Sequence, residues 1–140
     1  IRGNASLRSA FTTTDASEAS SVEELEGLAT QLLAGVTLAG EVTVSVGQRL
    51  AAGEVRRALA NAHHYMHLLG HLVIGWLWLR SAMVASRALP AASTADADFY
   101  RGKLQACRFF FACELPQIEL SARLVREAEP SAFEMSAAWF

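Results

Sequence analysis

Four histidines, His63, His64, His67 and His71, fall within nine residues of one another. On a helix His63, His67 and His71 form a row, drifting ~40° per step. Imidazoles at i and i+4 can chelate zinc, copper or nickel. The row lacks companions, because no Asp or Glu lies between Val55 and Ala95 and no Glu-x-x-His pair of the di-iron type occurs. The bland alternative is a hydrogen-bonded or solvated helix flank, and on that reading no metal ligand is assigned.

The other reactive residue types give less. Cys107 and Cys113 are six apart, ~9 Å of helical rise on nearly opposite faces, which is too far for a disulfide. They read as small core residues of a reduced cytoplasmic protein. Glu23, Glu24 and Glu26 mark one helix start and Asp96 and Asp98 another, where the helix dipole favours negative charge. Glu114, near Pro116 in an apolar setting, is the one carboxylate to watch, with packing as its expected role. Phe99, Tyr100, Phe109, Phe110, Phe111, Trp76 and Trp78 can be read as a ligand pocket, but aromatics at helical spacing more often fill a core. No Gly-rich phosphate loop, Gly-x-Ser-x-Gly elbow or dinucleotide fingerprint occurs. No catalytic, cofactor-binding or metal-binding residue is therefore assigned.

The elements that would position these groups are helices. The seam Val22, Leu25, Ala29, Leu32, Val36, Ala39, Thr43, Val46, Leu50 alternates steps of three and four. It overrides the strand-like alternation of Val42-Thr43-Val44-Ser45-Val46. The capping box Ser21-Val22-Glu23-Glu24 is its expected start, and Gly53 its expected left-handed stop. A second seam runs Val55, Ala58, Ala62, Tyr65, Leu69, Leu72, Trp76, Leu79, Met83 and ends before Pro90, a helix of roughly 50 Å. A third runs Leu104, Cys107, Phe111, Leu115, Ile118, Ala122, Val125, with Pro116 bending it. The expected architecture is an all-α, up-down antiparallel bundle of three long helices over residues 21–140, its apolar tail from Phe133 folding over one end. Residues 1–20, small and polar, read as a linker or arm.

Composition agrees with one domain. The chain has 140 residues, 52% apolar and 19% charged, enough to bury a core. Twelve Lys and Arg against 14 Asp and Glu leave a net charge of −2, which argues against a nucleic-acid surface. Mean hydropathy is +0.23. The longest nearly all-apolar run, Leu68 to Leu79, is about eight residues short of the ~20 that span a bilayer, so no membrane partner is expected. No signal peptide is visible at the start. The first residue is Ile1, as in a chain that is processed, trimmed or cut from something longer. The stretch Leu68 to Leu79 is apolar on every side, so three helices leave part of it bare. A fourth helix, a second copy or a neighbouring domain is expected to cover it.

Two segments together resemble a known family. The first is Asn61-Ala62-His63-His64-Tyr65-Met66-His67-Leu68-Leu69-Gly70-His71, continuing through Trp76-Leu77-Trp78-Leu79. The second is Phe99-Tyr100-Arg101-Gly102-Lys103-Leu104, continuing through Arg108-Phe109-Phe110-Phe111 to Leu115-Pro116. The pairing is similar to the extra C-terminal helical domain of a subgroup of acyl-CoA dehydrogenases, the acetyl-CoA dehydrogenase-like C-terminal domain. The likeness covers residues 22–140 and is densest over 58–116. His63-His64 stand where small residues or proline precede the Tyr, and Cys107 where Ala is usual.

The resemblance implies a parent flavoenzyme that binds FAD and oxidises acyl-CoA to enoyl-CoA. It implies a dehydrogenase body in the same polypeptide that holds flavin, substrate and catalytic base. This segment would then carry no cofactor and no catalytic set, and would serve docking or subunit contact in a homo-oligomer. The competing readings are an autonomous oligomerisation or scaffold bundle, a metal or haem bundle on His63, His67 or His71, and a peripheral membrane module.

Overall fold

The computed structural model describes residues 4–140, with side chains described for 21–131 and 134–140. The first helix, α1, spans Asn4–Ala51, so Ser21-Val22-Glu23-Glu24 lies inside it and does not start it. The expected linker of residues 1–20 falls, in its first three residues and all its side chains, outside the described residues.

Within α1 the hydroxyls of Thr30, Thr37 and Thr43 donate to carbonyls four residues back, at 2.9, 3.1 and 2.7 Å. That bond satisfies a threonine inside a helix, so the alternating Val42–Val46 stretch needs no strand partner. Gly53, at φ 78°, closes α1 as expected. Its N–H donates to Leu50 O and that of Glu54 to Arg49 O, the Schellman arrangement.

The second seam does not form one helix. It divides into α2, Val55–Leu59, and α3, Ala62–Ala88. At the break Asn61 is buried, and its amide donates to Glu129 O at 3.0 Å, anchoring the corner to the end of a later helix. A 3-10 turn, Leu89–Ala91, carries Pro90 and closes α3. Helix α4, Thr94–Phe109, begins on Ser93, whose hydroxyl accepts from Asp96 N–H.

The third seam is also divided. Pro116 has no N–H to give to the preceding turn. The chain widens ahead of it into a π turn, Phe110–Glu114, with Leu115 N–H bonded to Phe110 O at 2.8 Å, and restarts as α5, Gln117–Glu127. The wide turn lets both Phe110 and Phe111 face the core. α5 ends on Ala128 in a left-handed conformation, φ 49°, and Arg49 of α1 donates to the terminal carbonyls of Val125 and Arg126. A short α6, Ser131–Glu134, and a 3-10 turn, Ala137–Trp139, complete the chain. Among the described residues the structure is all helical, with no strand.

Helix α3 packs against α1, α4 and α5. Early residues of α1 meet late residues of α3, and late ones meet early ones: Leu25 and Met83 line one cleft, while Thr43 Oγ1 and Tyr65 Oη share a hydrogen bond of 2.7 Å. The core holds Leu32, Val42, Leu68, Leu72, Cys107, Phe110, Phe111, Ile118 and Val125.

The core keeps Leu25, Ala29, Leu32, Ala39 and Val46 of the first seam and Tyr65, Leu69, Leu72 and Leu79 of the second. The stripes shift by one position where Gly35 and Val42 turn inward in place of Val36 and Thr43, and Gly75 and Ala82 in place of Trp76 and Met83. On α1 the inward residues are Leu28, Leu32, Gly35, Ala39, Val42 and Val46, while Val22, Val36 and Leu50 are exposed. On α3 they are Leu68, Leu72, Gly75, Leu79 and Ala82, while Trp76 and Met83 are exposed. Glycine is the reason. A Cβ on Gly35 would stand 2.7 Å from Leu72 Cδ2 and 2.9 Å from Ile118 Cδ1, so the helices cross where the side chain is missing. The third seam needs no such shift, since Cys107, Phe111, Leu115, Ile118, Ala122 and Val125 are all buried. The tail does not cover the end: Trp139 and Phe140 are exposed, and the side chain of Phe133 lies outside the described residues.

Candidate functional site

The histidines pair by ring contact. The rings of His63 and His64 lie 3.8 Å apart and those of His67 and His71 4.1 Å apart. Partial burial, with His63 and His67 alongside, pushes the His64 pKa below its ordinary value. His71 Nδ1 is 2.9 Å from His67 O. A carbonyl only accepts, so Nδ1 carries the proton and Nε2 is left facing Glu114 Oε2 at 3.9 Å. Glu114 in turn accepts from Gln117 Nε2 at 2.8 Å. The carboxylate that sequence spacing denied this row thus arrives from the π turn. Nothing in the local sequence links the two, and the irregularity announced by Pro116 was the available signal. Among the described residues no three His, Cys, Asp or Glu side chains converge on a metal-sized site.

The cysteines separate in environment. Cys107 is fully buried, and burial pushes its thiol up to about 11, whereas Cys113 is exposed, contrary to its expected core position. Glu24 also departs from its expected role. It binds Arg108 of α4 through both carboxylate oxygens, at 2.6 and 2.7 Å. The guanidinium holds the Glu24 carboxyl below its usual range, and the carboxylate raises the Arg108 pKa in return. Asp96 accepts from the hydroxyl of the cap residue Ser93 at 2.7 Å, and Asp98 pairs with Arg101 at 2.9 Å.

The aromatics divide between core and surface. Phe110 and Phe111 are core, with centroids 6.2 Å apart. Phe99, Phe109 and Trp76 are largely exposed. Arg80 lies over Trp76 at 4.8 Å, and Lys103 lies 5.2 Å from the Phe99 ring and 5.7 Å from that of Trp78.

Among the described residues many large apolar side chains are exposed. Leu33, Val36 and Val44 project from α1, and Val73, Trp76, Leu77 and Val84 from α3. Stretches of both helices, Ser21–Ala51 and Ala62–Ala91, are long and apolar enough to cross a membrane by length and composition, which corrects the shorter Leu68–Leu79 limit. Only 22% and 33% of their most apolar windows are buried inside the fold, and exposed apolar side chains remain on both helices. Patches of this kind mark contact surfaces.

The sequence matches a known family over nearly its whole length. The profile described as acetyl-CoA dehydrogenase C-terminal like fits residues 7–136. The broad-specificity linear acyl-CoA dehydrogenase FadE5 of Mycobacterium tuberculosis is 30% identical over 123 residues, which is 87% of this chain. The chain spans only 19% of the length of that relative. No solved structure matches it.

Proposed function

The chain belongs to the acetyl-CoA dehydrogenase C-terminal-like family, and from that premise we propose that it acts as the C-terminal accessory domain of an acyl-CoA dehydrogenase-like flavoenzyme. The parent would oxidise acyl-CoA to enoyl-CoA with FAD, in the cytoplasm and as a homo-oligomer. The three limbs, α1, α2 with α3, and α4 with α5, form an up-down bundle whose missing cover is supplied by the dehydrogenase body or a second subunit. The observation that carries this reading is the outward apolar surface of α1 and α3, on a chain that matches one fifth of a dehydrogenase.

The residues described here do not fit a flavin. Their clefts are open, and none of their buried polar side-chain atoms lacks a partner, so no polar cradle waits for an isoalloxazine or ribityl group. No step of the oxidation is assigned to this segment. Its role is physical: covering the outer faces of α1 and α3 removes apolar area from water at ~25 cal/mol per Å², which ties the domain to its partner.

Deleting the segment from the parent gene tests this. The truncated enzyme is expected to melt lower or to change its assembly. A truncated enzyme with normal melting, assembly and turnover would contradict the reading and favour an autonomous bundle.

A further inference from the structure

His71 is held from two sides. Its Nδ1–H donates to the His67 carbonyl at 2.9 Å, so in the neutral ring Nε2 presents a lone pair. That lone pair faces Glu114 Oε2 at 3.9 Å. Ring nitrogen and carboxylate oxygen are then both acceptors, and a cation between them makes the contact attractive. A proton would suffice for the pair alone.

The surroundings supply more than a proton needs. His67, one turn before His71, brings a second imidazole with its ring 4.1 Å away. Gln117 Nε2 donates to the same carboxylate oxygen at 2.8 Å, the kind of outer support that orients metal ligands. The His71 side chain is only 13% exposed, so packing and its backbone bond fix the ring. The carboxylate itself comes from the π turn Phe110–Glu114, an irregularity that helices often keep at functional sites.

We propose that His67, His71 and Glu114 bind a divalent transition metal of the zinc class, with water in the remaining position. Two imidazoles and one carboxylate are a donor set of open zinc centres, while Mg²⁺ and Ca²⁺ prefer oxygen alone. As the side chains stand, the three do not meet at one metal-sized point, and the ion draws them together. Ligand atoms on a tetrahedral zinc lie roughly 3.4 Å apart, so the 3.9 Å between His71 and Glu114 closes by about half an ångström. Glu114 is 40% exposed and His67 lies on the exposed flank, so both have room to turn. Val73, Trp76, Leu77 and Val84 of the α3 docking face take no part, so this inference does not depend on the accessory-domain reading.

Calorimetric titration of the 140-residue chain, prepared without a histidine tag, with zinc chloride and magnesium chloride tests it. Zinc is expected to bind saturably at one ion per chain, and magnesium not to bind at millimolar concentration. Glu114→Gln, His67→Ala and His71→Ala are each expected to weaken zinc at least tenfold, and Gln117→Ala about tenfold. His63→Ala should leave the affinity unchanged, and circular dichroism confirms that each variant stays helical. Loss of zinc in His63→Ala with unchanged affinity in Glu114→Gln would overturn the proposal, because the ion would then sit adventitiously on the exposed pair His63 and His67. No zinc binding at millimolar concentration would also overturn it and leave His71 and Glu114 as a simple ion pair.

Discussion

Glu24 on α1 and Arg108 on α4, 84 residues apart in sequence, meet as a two-pronged ion pair with N···O distances of 2.6 and 2.7 Å. The pair joins the first limb of the fold to the last. Both side chains keep roughly two fifths of their surface in solvent, at 37% and 45%, so screening limits the gain to about 0.2–1 kcal/mol. The sign with pH is fixed. The Glu24 pKa is lower in the folded chain than its ordinary 4.5, so the contribution is present above 4.5 and is lost as pH falls through the lower folded value. Glu24→Gln is therefore expected to lower stability at pH 7 and to match the wild type in acid well below 4.5. Urea titrations at the two pH values read the difference, and an equal gap at both would contradict the assignment.

Gly35 and Gly40 lie in the same helix with opposite surroundings. A Cβ at Gly35 meets Leu72 and Ile118 below 3.0 Å, while one at Gly40 meets nothing within 4 Å. Gly40→Ala should stabilise by about 0.5–1 kcal/mol through helix propensity. Gly35→Ala should destabilise by about 1 kcal/mol, because overpacking outweighs that same gain. Thermal melts of the two variants should move in opposite directions.

The corner residues carry a third prediction. Gly53 stands at φ 78° with open space around it, so Gly53→Ala isolates the backbone cost and should lose about 1 kcal/mol. Asn61→Ala removes the buried amide that reaches Glu129 O and should lose about 1–2 kcal/mol. Chemical denaturation of each variant measures both losses.

The two thiols should differ in reactivity. Thiolate is the attacking form, and Cys107 is buried with its thiol near 11. A disulfide reagent at pH 8 should therefore modify one thiol in the native chain and two after unfolding. Cys113→Ser should abolish the native reaction. Rapid native modification of both thiols would show that Cys107 is reachable.

Much of this was legible in the sequence, and the failures have physical causes. Val42-Thr43-Val44-Ser45-Val46 read as helix because the three-four spacing on either side continued through it, and Gly53 announced its own turn. The seams of α1 and α3 hold at Leu25, Ala29, Leu32, Ala39, Val46, Leu69, Leu72 and Leu79 but miss by one position at Val36 and Trp76, because ranking by hydrophobicity passes over Gly35 and Gly75, where the closest packing uses the absence of a side chain. Pro116 signalled an irregularity, but not that the chain would widen and bury Phe110 beside Phe111. His71 and Glu114 share no local pattern, and only the antiparallel return of α4 brings them together. Cys113 and the tail show the same limit, since an apolar type does not say which way it points.

The most direct measurement for the central claim is the intact mass and visible spectrum of the native gene product, purified from its own cell. A mass several-fold above 15.1 kDa with a flavin absorption band is the result expected of an accessory domain joined to a dehydrogenase body. A colourless protein of about the mass of this chain would contradict that account and leave a self-standing helical bundle.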